Sequence, residues 1–129
     1  MLTQTDKLGK ITTYANNSRG QVTSITLPDP DGAGALTSPV TTVAYDSLGR
    51  PVTLTNPDSS TQTFTYNTAD QMLTATDELG RVTTYTYDNL DRTKTATLPD
   101  PDGAGALTSP VTTVVYNVGS LVTTVAVSI

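Results

Sequence analysis

The residues of this sequence that could do chemistry are mostly aspartates that alternate with prolines. Asp29 and Asp31 form one pair, and Asp100 and Asp102 form an identical second pair. Paired carboxylates can serve as general acid and base where a pocket shifts their pKa values apart. Both pairs lie in proline- and glycine-rich stretches that favour surface loops, and a short chain seldom needs the same active site twice. We therefore predict no catalytic residues and no enzyme.

The remaining inventory of reactive groups is also poor. Histidine and cysteine are absent, which removes the commonest general base and the imidazole and thiolate metal ligands. The Asp29-Pro30-Asp31-Gly32 segment resembles the opening of a calcium loop, but the third acidic position and the distant glutamate are missing. We predict ordinary turn chemistry there, with no cofactor and no metal site. Weak calcium binding by these loops stays an open alternative.

Composition and charge exclude two further classes. The chain has 129 residues, a net charge of −5 and a pI near 4.3, whereas nucleic-acid binding needs a basic stripe. It has no run of about 18 apolar residues, the length that spans a membrane. Its opening residues, MLTQTDKLGK, lack the apolar segment of a signal peptide. We predict neither a nucleic-acid partner nor a membrane span.

An internal repeat organises the chain. The segment Thr26–Val43 recurs letter for letter as Thr97–Val114, an offset of 71 residues (97 − 26). Self-similarity at a fixed period is typical of repeat architectures, whose units bury their apolar faces against their neighbours. We interpret residues 1–129 as a single repeat array, with one 71-residue unit at 5–75 and an incomplete second copy at 76–129.

A shorter rhythm inside this unit is set by tyrosines that precede Asp or Asn. The residues before each of them alternate between apolar side chains and threonine, which is the period of a strand with one buried face. The chain contains 28 threonines, and this β-branched residue favours strands. The tyrosines are Tyr45, Tyr66, Tyr87 and Tyr116, at steps of 21, 21 and 29 residues, and the longest step contains the second LPDPDGAGALTSP stretch.

Each tyrosine is followed by a short polar turn and a second alternating run, which together predict a β-hairpin. The fold is therefore predicted to be all-β, an array of about five antiparallel β-hairpins that form a spiralling, twisted repeat sheet. Phe64, Tyr66, Tyr85 and Tyr87 are expected to face the core. The predicted turns lie near Asn17–Gly20, Asp46–Gly49, Asn67–Asp70, Asp88–Asp91 and Asn117–Gly119.

Two positions stand out from this pattern. Lys94 occupies the place where other copies have Val52 and Leu73, and we expect its amine to reach solvent while its stem packs. The segment Leu121–Ile129, LVTTVAVSI, has no charge and no proline. An uncovered strand of that kind is a template for pairing with another chain.

The tyrosine-marked pattern resembles the YD repeats of the RHS family. The resemblance rests on residues 83–92 (TTYTYDNLDR) and 45–50 (YDSLGR), on the 21-residue step and on the recurring Thr-Asp-x-Leu-Gly, and it extends through about Tyr116. It implies a secreted or cell-surface protein whose hairpins form a continuous β-sheet shell. In large bacterial members the shell encloses a toxic C-terminal domain, and in animal relatives it belongs to an adhesion receptor. Five hairpins are too few to close such a shell, and nothing here resembles the self-cleaving element or the toxin domain.

The function expected from these features is structural and non-enzymatic. We predict a secreted or cell-surface repeat protein that self-associates, as a homo-oligomer or polymer, through its β-edges or open repeat ends into a larger shell or filament. The alternative is a cell-surface module that binds carbohydrate or protein. The resemblance allows this, because sugar binding has been proposed for repeats of the family. A sugar site needs an exposed aromatic ring, and Tyr14 is the plausible one, because Asn16 replaces the tyrosine of its hairpin. Tyr14 could equally cap the core of its repeat.

Overall fold

The chain folds into short β-strands, as seen in a computed structural model that describes residues 1–32, 34–103, 107–117, 119 and 121–128. No helix occurs among these residues, so none of them forms a helix that could cross a membrane. The predicted all-β class is confirmed. The strands are β1 (Leu2–Thr5), β2 (Ile11–Asn16), β3 (Val22–Thr26), β4 (Val40–Tyr45), β5 (Pro51–Thr55), β6 (Thr61–Tyr66), β7 (Met72–Thr76), β8 (Val82–Tyr87), β9 (Thr93–Thr97), β10 (Val111–Tyr116) and β11 (Val122–Ser128).

Residue type explains why these segments are strands. Of the 28 threonines, 25 lie within the strands, and Lys94 is the one charged residue found in any of them. Threonine is stiff at χ1 and fits the pleated, half-exposed surface of a sheet. Prolines, glycines and aspartates are concentrated in the connections, where they set φ or bond to the backbone of a turn.

The chain divides into two compact units, Met1–Gln62 and Thr63–Ile129. In the first unit, β1 to β5 pair antiparallel in sequence order. In the second unit, β6 from Thr63 onward pairs with β7, and each later strand through β11 pairs antiparallel with the one before it. Ala33, Ala104–Ala106, Val118, Ser120 and Ile129 lie outside the described residues, so part of the predicted turn at Asn117–Gly119 does too.

The prediction of about five hairpins needs one refinement. The links that the sequence treats as spacers between hairpins include tight antiparallel turns of their own, such as Asp6–Gly9 between β1 and β2 and Asp77–Gly80 between β7 and β8. Strand β1 belongs to none of the five predicted hairpins. Each unit is therefore an antiparallel meander, in which hairpin and spacer turns alternate.

A β-bulge occurs at the same place in all five hairpins. In β6–β7, Thr65 pairs with Thr74 but Tyr66 pairs with Met72, so Leu73 is the extra residue. The second alternating run that the sequence predicts for this hairpin is therefore interrupted at Leu73. The extra residue of a bulge is left out of the ladder pairing. The equivalent extra residues are Thr23, Val52, Lys94 and Thr123, and Lys94 is exposed as predicted.

Apolar burial in the sheet is one-sided and partial. Strands β4, β6 and β8 share the burial pattern of alternating exposed and half-buried residues. Phe64, Tyr66, Tyr85 and Tyr87 occupy the half-buried positions, as the alternation predicts. No hydrophobic residue in the described part of the chain is fully buried. Stability must therefore come from half-buried rings and from the polar bonds that join one hairpin to the next.

Candidate functional site: the joint between hairpins

The turns share one side-chain arrangement. In the turn after Tyr45, Asp46 Oδ1 accepts hydrogen bonds from the backbone N–H groups of Leu48 and Arg50, both at 2.9 Å. The Gly49 N–H donates to the Asp46 carbonyl at 3.0 Å. Such a side chain at the first turn position mimics a backbone turn and fixes the chain reversal. The same pair of N–H donors binds Oδ1 of Asp6, Asn17, Asn67, Asp77, Asp88 and Asn117.

In the seven tight turns whose fourth residue is described, that residue has a left-handed backbone. Glycine occupies it in four turns, as at Gly80 with φ 76°. Three turns carry another residue there, namely Ser59, Asp70 and Asp91, with φ between 62° and 69°. Asp tolerates this region better than most residues with a Cβ, but the conformation still costs energy relative to glycine. These three positions are local points of backbone strain.

In five of these turns a second side-chain contact joins the first turn residue to an arginine or glutamine at the fifth position, and it comes in two chemical versions. In the charged version, Asp88 Oδ2 accepts from Arg92 Nε at 2.7 Å and contacts Arg92 Nη2 at 2.6 Å. Asp46 with Arg50 and Asp77 with Arg81 have the same arrangement. In the neutral version, Asn17 Nδ2 donates to Gln21 Oε1 at 3.0 Å, and Asn67 donates likewise to Gln71.

The charged turns hold their carboxylates in the ionised form. The pKa of Asp88 is lowered chiefly by the hydrogen bond from the Arg92 side chain. The backbone N–H of Arg50 is the largest cause of the lowered pKa of Asp46, and that of Arg81 acts likewise on Asp77. Donors that bind the charged form favour it over the protonated form. These aspartates therefore serve the turn and are not poised as acids or bases near neutral pH.

Three tyrosines each bind their hairpin to the one before it within the same unit. Tyr45 Oη donates to the Val22 carbonyl oxygen at 2.8 Å, and Tyr116 Oη donates to that of Thr93 at 2.9 Å. Tyr87 Oη donates to the Met72 carbonyl oxygen at 2.8 Å. Each acceptor carbonyl belongs to the first residue of the second strand in the preceding hairpin, the residue that pairs across the β-bulge. We call this bond, from a tyrosine hydroxyl to that carbonyl, the hairpin joint.

Turn side chains reinforce the hairpin joint at its end. Gln21 Nε2 donates to the Gly49 carbonyl of the next hairpin turn at 2.7 Å, and Gln71 Nε2 donates to Asp91 Oδ1 at 3.1 Å. The Arg92 guanidinium lies 4.2 Å from the centre of the Tyr116 ring, within the range of a cation–π contact. One arginine therefore closes its own turn and also packs on the tyrosine of the following hairpin.

The first hairpin has Asn16 in place of the tyrosine, and one polar atom of Asn16 lacks a hydrogen bond. Asn16 Nδ2 donates to the Gly20 carbonyl at 2.8 Å, but Asn16 Oδ1 is buried without a hydrogen-bond partner. Tyr14 in the same strand is half-buried, and its hydroxyl donates to Gln4 Oε1 at 3.2 Å. Of the two alternatives for Tyr14, the half-buried ring beside β1 favours the cap of its repeat over an exposed ring.

The acidic loops use their carboxylates internally. Asp31 Oδ2 accepts from the Leu36 N–H at 3.1 Å, which is the main cause of the lowered pKa of Asp31, and Asp29 Oδ1 accepts from the Asp31 N–H at 3.1 Å. Asp100 and Asp102 repeat both contacts. In the described ranges no three His, Cys, Asp or Glu residues come together in a way that could hold a metal ion.

A shallow depression of about 430 Å³ adjoins the second acidic loop. Leu98, Pro99, Asp100 and Pro101 line one side, and the ion pair of Asp77 with Arg81 lines another. Its charged side chains already have partners, since Asp77 binds Arg81 and Asp100 Oδ1 accepts from the Asp102 N–H at 3.2 Å.

A threonine face lies opposite the tyrosines. Thr65 and Thr74 pair across β6–β7 with their hydroxyl oxygens 2.6 Å apart, and Thr86 and Thr95 do the same across β8–β9. Cross-strand threonine pairs of this kind add a few tenths of a kcal/mol up to about 1 kcal/mol each. The face carries rows of small polar groups and offers no aromatic platform.

Comparison with known proteins gives a family match and similarity to solved structures. The RHS repeat family matches residues 45–80 and 66–104, and the two matches begin on Tyr45 and Tyr66. The fold is similar to a chain in the crystal structure of TcdB2-TccC3-Cdc42, with 19% sequence identity and a TM-score of 0.48. That likeness covers 98% of this chain and 8% of the other chain's length. No curated protein matches the chain.

Proposed function

We propose, on the premise that residues 45–104 are RHS repeats, that this chain is a structural, non-enzymatic scaffold. It builds a wall of β-sheet hairpin by hairpin, and it associates with further copies through strand edges into a larger assembly. A secreted or cell-surface setting, as the family suggests, is part of the proposal. The scaffold presents surface and spacing, and it transforms no substrate.

The hairpin joint is the observation that carries this proposal. A tyrosine hydroxyl meets the preceding hairpin at 2.8 to 2.9 Å in three places, and turn glutamines add two further links. In these contacts, tyrosine and glutamine side chains connect one hairpin to the next. The polar side chains of the repeat therefore serve to add hairpin to hairpin. The described residues contain no fully buried core. Such a repeat gains stability from each hairpin that is added beside it.

The sites of association are the strand edges. All seven residues of β11 are exposed, including Val125 at 59% and Val127 at 62%. An exposed, uncharged strand pairs readily with another strand, since its unused N–H and C=O groups template a ladder. The alternative function, a cell-surface module that binds carbohydrate or protein, gains no support from Tyr14, because its ring is half-buried and its hydroxyl bonds to Gln4.

Light scattering of the purified chain over a range of concentrations tests the proposal. We expect a mass that rises above the 13.5 kDa of one chain as concentration increases. The double substitution V125K/V127K should shift the mass to that of the monomer, because charge on an edge strand opposes pairing. The matched control is V82K/V115K, which adds the same charge at exposed valines of β8 and β10, strands with neighbours on both sides.

The result that would overturn the proposal is a monomer at every concentration. Association of V125K/V127K equal to that of the wild type would show that β11 is not the joining edge. Loss of association in V82K/V115K as well would mean that net charge, rather than the edge, controls the mass.

A further inference from the structure

We infer that the outer edge of β11 is a symmetric joint, which pairs antiparallel with β11 of a second copy of this chain about a two-fold axis at Ala126. The inference rests on the proposed scaffold function, and it specifies the partner and the register for one of its edges.

Strand β11 has the chemistry of an inner strand but has a neighbour on one side. Its first five residues, VTTVA, are identical to the first five of β4. Strand β4 pairs with β3 on one side and with β5 on the other. Within the described residues β11 pairs with β10. The same five-residue sequence therefore has a paired strand on both sides in β4, whereas the described residues pair β11 on one side, with β10.

The face of each β11 side chain follows from its partner in β10. Val125 lies opposite Val114, and Val127 lies opposite Thr112. Opposite residues of an antiparallel pair share a face, and Val114 shares its face with Tyr116 because they are two residues apart. Val125 and Val127 therefore extend the tyrosine face, whereas Thr124, Ala126 and Ser128 extend the threonine face.

A two-fold axis at Ala126 matches both faces at once. Antiparallel pairing about that axis places Val125 opposite Val127 of the second copy, and this pair forms twice. Thr124 then lies opposite Ser128 of the second copy, hydroxyl against hydroxyl, and Ala126 meets its own equivalent. A shift of one residue would place every side chain against the wrong face, and an axis at Val125 would set Val127 opposite Thr123. The Ala126 axis pairs like with like.

Neither charge nor proline blocks this edge. The described residues of β11 contain no lysine, no proline and no inward charge, three of the devices that protect natural edge strands. A fourth device, the β-bulge, occurs at Thr123, outside residues 124–128 that the joint pairs. Two copies of β11 bring no charged side chains against each other, although each chain has a net charge of −5. A joint of one strand per copy is small beside the roughly 1,600 Å² of a standard interface. Association through β11 should therefore depend on concentration, and a two-fold joint by itself closes at a dimer.

Cysteine cross-linking tests the register, because the natural chain has no cysteine. In A126C, the two cysteines of a dimer would have Cα atoms about 4.5 to 5.5 Å apart, which a disulfide accepts. We expect oxidised glutathione to convert A126C to a disulfide-linked dimer on a non-reducing gel. The control A44C places cysteine at the equivalent exposed position of β4, an inner strand, and should stay a monomer on the gel.

The register makes a second prediction that a loose contact would not. An equimolar mixture of V125C and V127C should form the heterodisulfide in preference to either homodisulfide, because Val125 faces Val127 of the other copy. Homodisulfides of V125C equal in yield to the mixed product would overturn the Ala126 axis.

The failure of this inference and that of the scaffold proposal are distinguishable. Association by light scattering with A126C cross-linking no faster than A44C would overturn the β11 joint and leave the scaffold in place. A monomer at all concentrations would overturn both.

Discussion

The hydroxyl of Tyr87 donates to the carbonyl oxygen of Met72 at 2.8 Å, which connects strand β8 to the hairpin before it. Met72 is also the residue that pairs with Tyr66 across the β-bulge of that hairpin. Tyr87 thus pairs across the β-bulge of its own hairpin, and its hydroxyl bonds to the residue next to the β-bulge of the preceding hairpin. Because the sheet has little apolar burial, we expect bonds of this kind to add measurably to the backbone ladder, here that of β7 with β8, in holding neighbouring hairpins in register.

Restoring the missing tyrosine of the first hairpin should stabilise the chain. Asn16 lies one 71-residue period before Tyr87, and Met1 lies one period before Met72. In N16Y, we expect the new hydroxyl to reach the Met1 carbonyl and the buried, unpartnered Asn16 Oδ1 to be removed. The gain should be about 1 kcal/mol in the free energy of unfolding, as one hydrogen bond provides. Urea denaturation measures it. N16F separates ring from hydroxyl, and an N16Y no more stable than N16F would contradict the joint at this position.

Backbone strain predicts opposite effects at two equivalent turn positions. Ser59 has φ 69° and Gly80 has φ 76° in the same place of their turns. In S59G the strain is relieved, so we expect unchanged or higher stability. In G80A the added Cβ meets nothing within 4 Å, so the loss, about 1 kcal/mol or somewhat more, reports backbone strain alone. Thermal unfolding of both variants is the measurement. A neutral G80A would show that the turn does not require the left-handed conformation.

Acid should weaken the charged turns and spare the neutral ones. Asp46, Asp77 and Asp88 have a lowered pKa in the folded chain, against about 3.9 for an unfolded aspartate. Their stabilising effect is thus fully present above about pH 4 and is lost as pH falls through the lower folded pKa values. The unfolding midpoint in urea, measured between pH 7 and pH 2, should fall across that window.

The chain supplies its own control for this pH dependence. The double substitution D88N/R92Q copies the neutral pair of Asn67 with Gln71 and removes one titrating group. We expect it to fold and to lose less stability than the wild type between pH 5 and pH 2. An identical fall in both proteins would mean that Asp88 contributes nothing to the acid transition.

Tyrosine spacing and threonine alternation were enough to predict the all-β class, the four hairpin turns that are fully described and the half-buried side of Phe64 and Tyr66. These features depend on local residue type and on a period of two, which a single sequence displays. That the acidic loops are structural stays a prediction, which rests on the poor fit of identical copies at Asp29 and Asp100 with one active site.

The hairpin joint and the bulge were not predictable in the same way. A bulge is a property of two paired strands, so Leu73 and Lys94 appeared to be ordinary strand positions until the register was known. The hydroxyl of Tyr87 reaches 15 residues back in sequence, and no local pattern announces its acceptor. The turn pairs did leave a signal, since arginine follows Asp88 and glutamine follows Asn67 at the same four-residue distance.

The most direct test of the hairpin joint compares Y87F with Y85F. Both tyrosines lie half-buried on the same face of β8, but within the described residues the Tyr85 hydroxyl has no hydrogen-bond partner. Urea denaturation should show Y87F less stable by roughly 0.5 to 1.5 kcal/mol, the net value of one intramolecular hydrogen bond, and Y85F unchanged within about 0.5 kcal/mol. Equal stability of the two variants would contradict the account, because the tyrosine hydroxyls would then not be what joins one hairpin to the next.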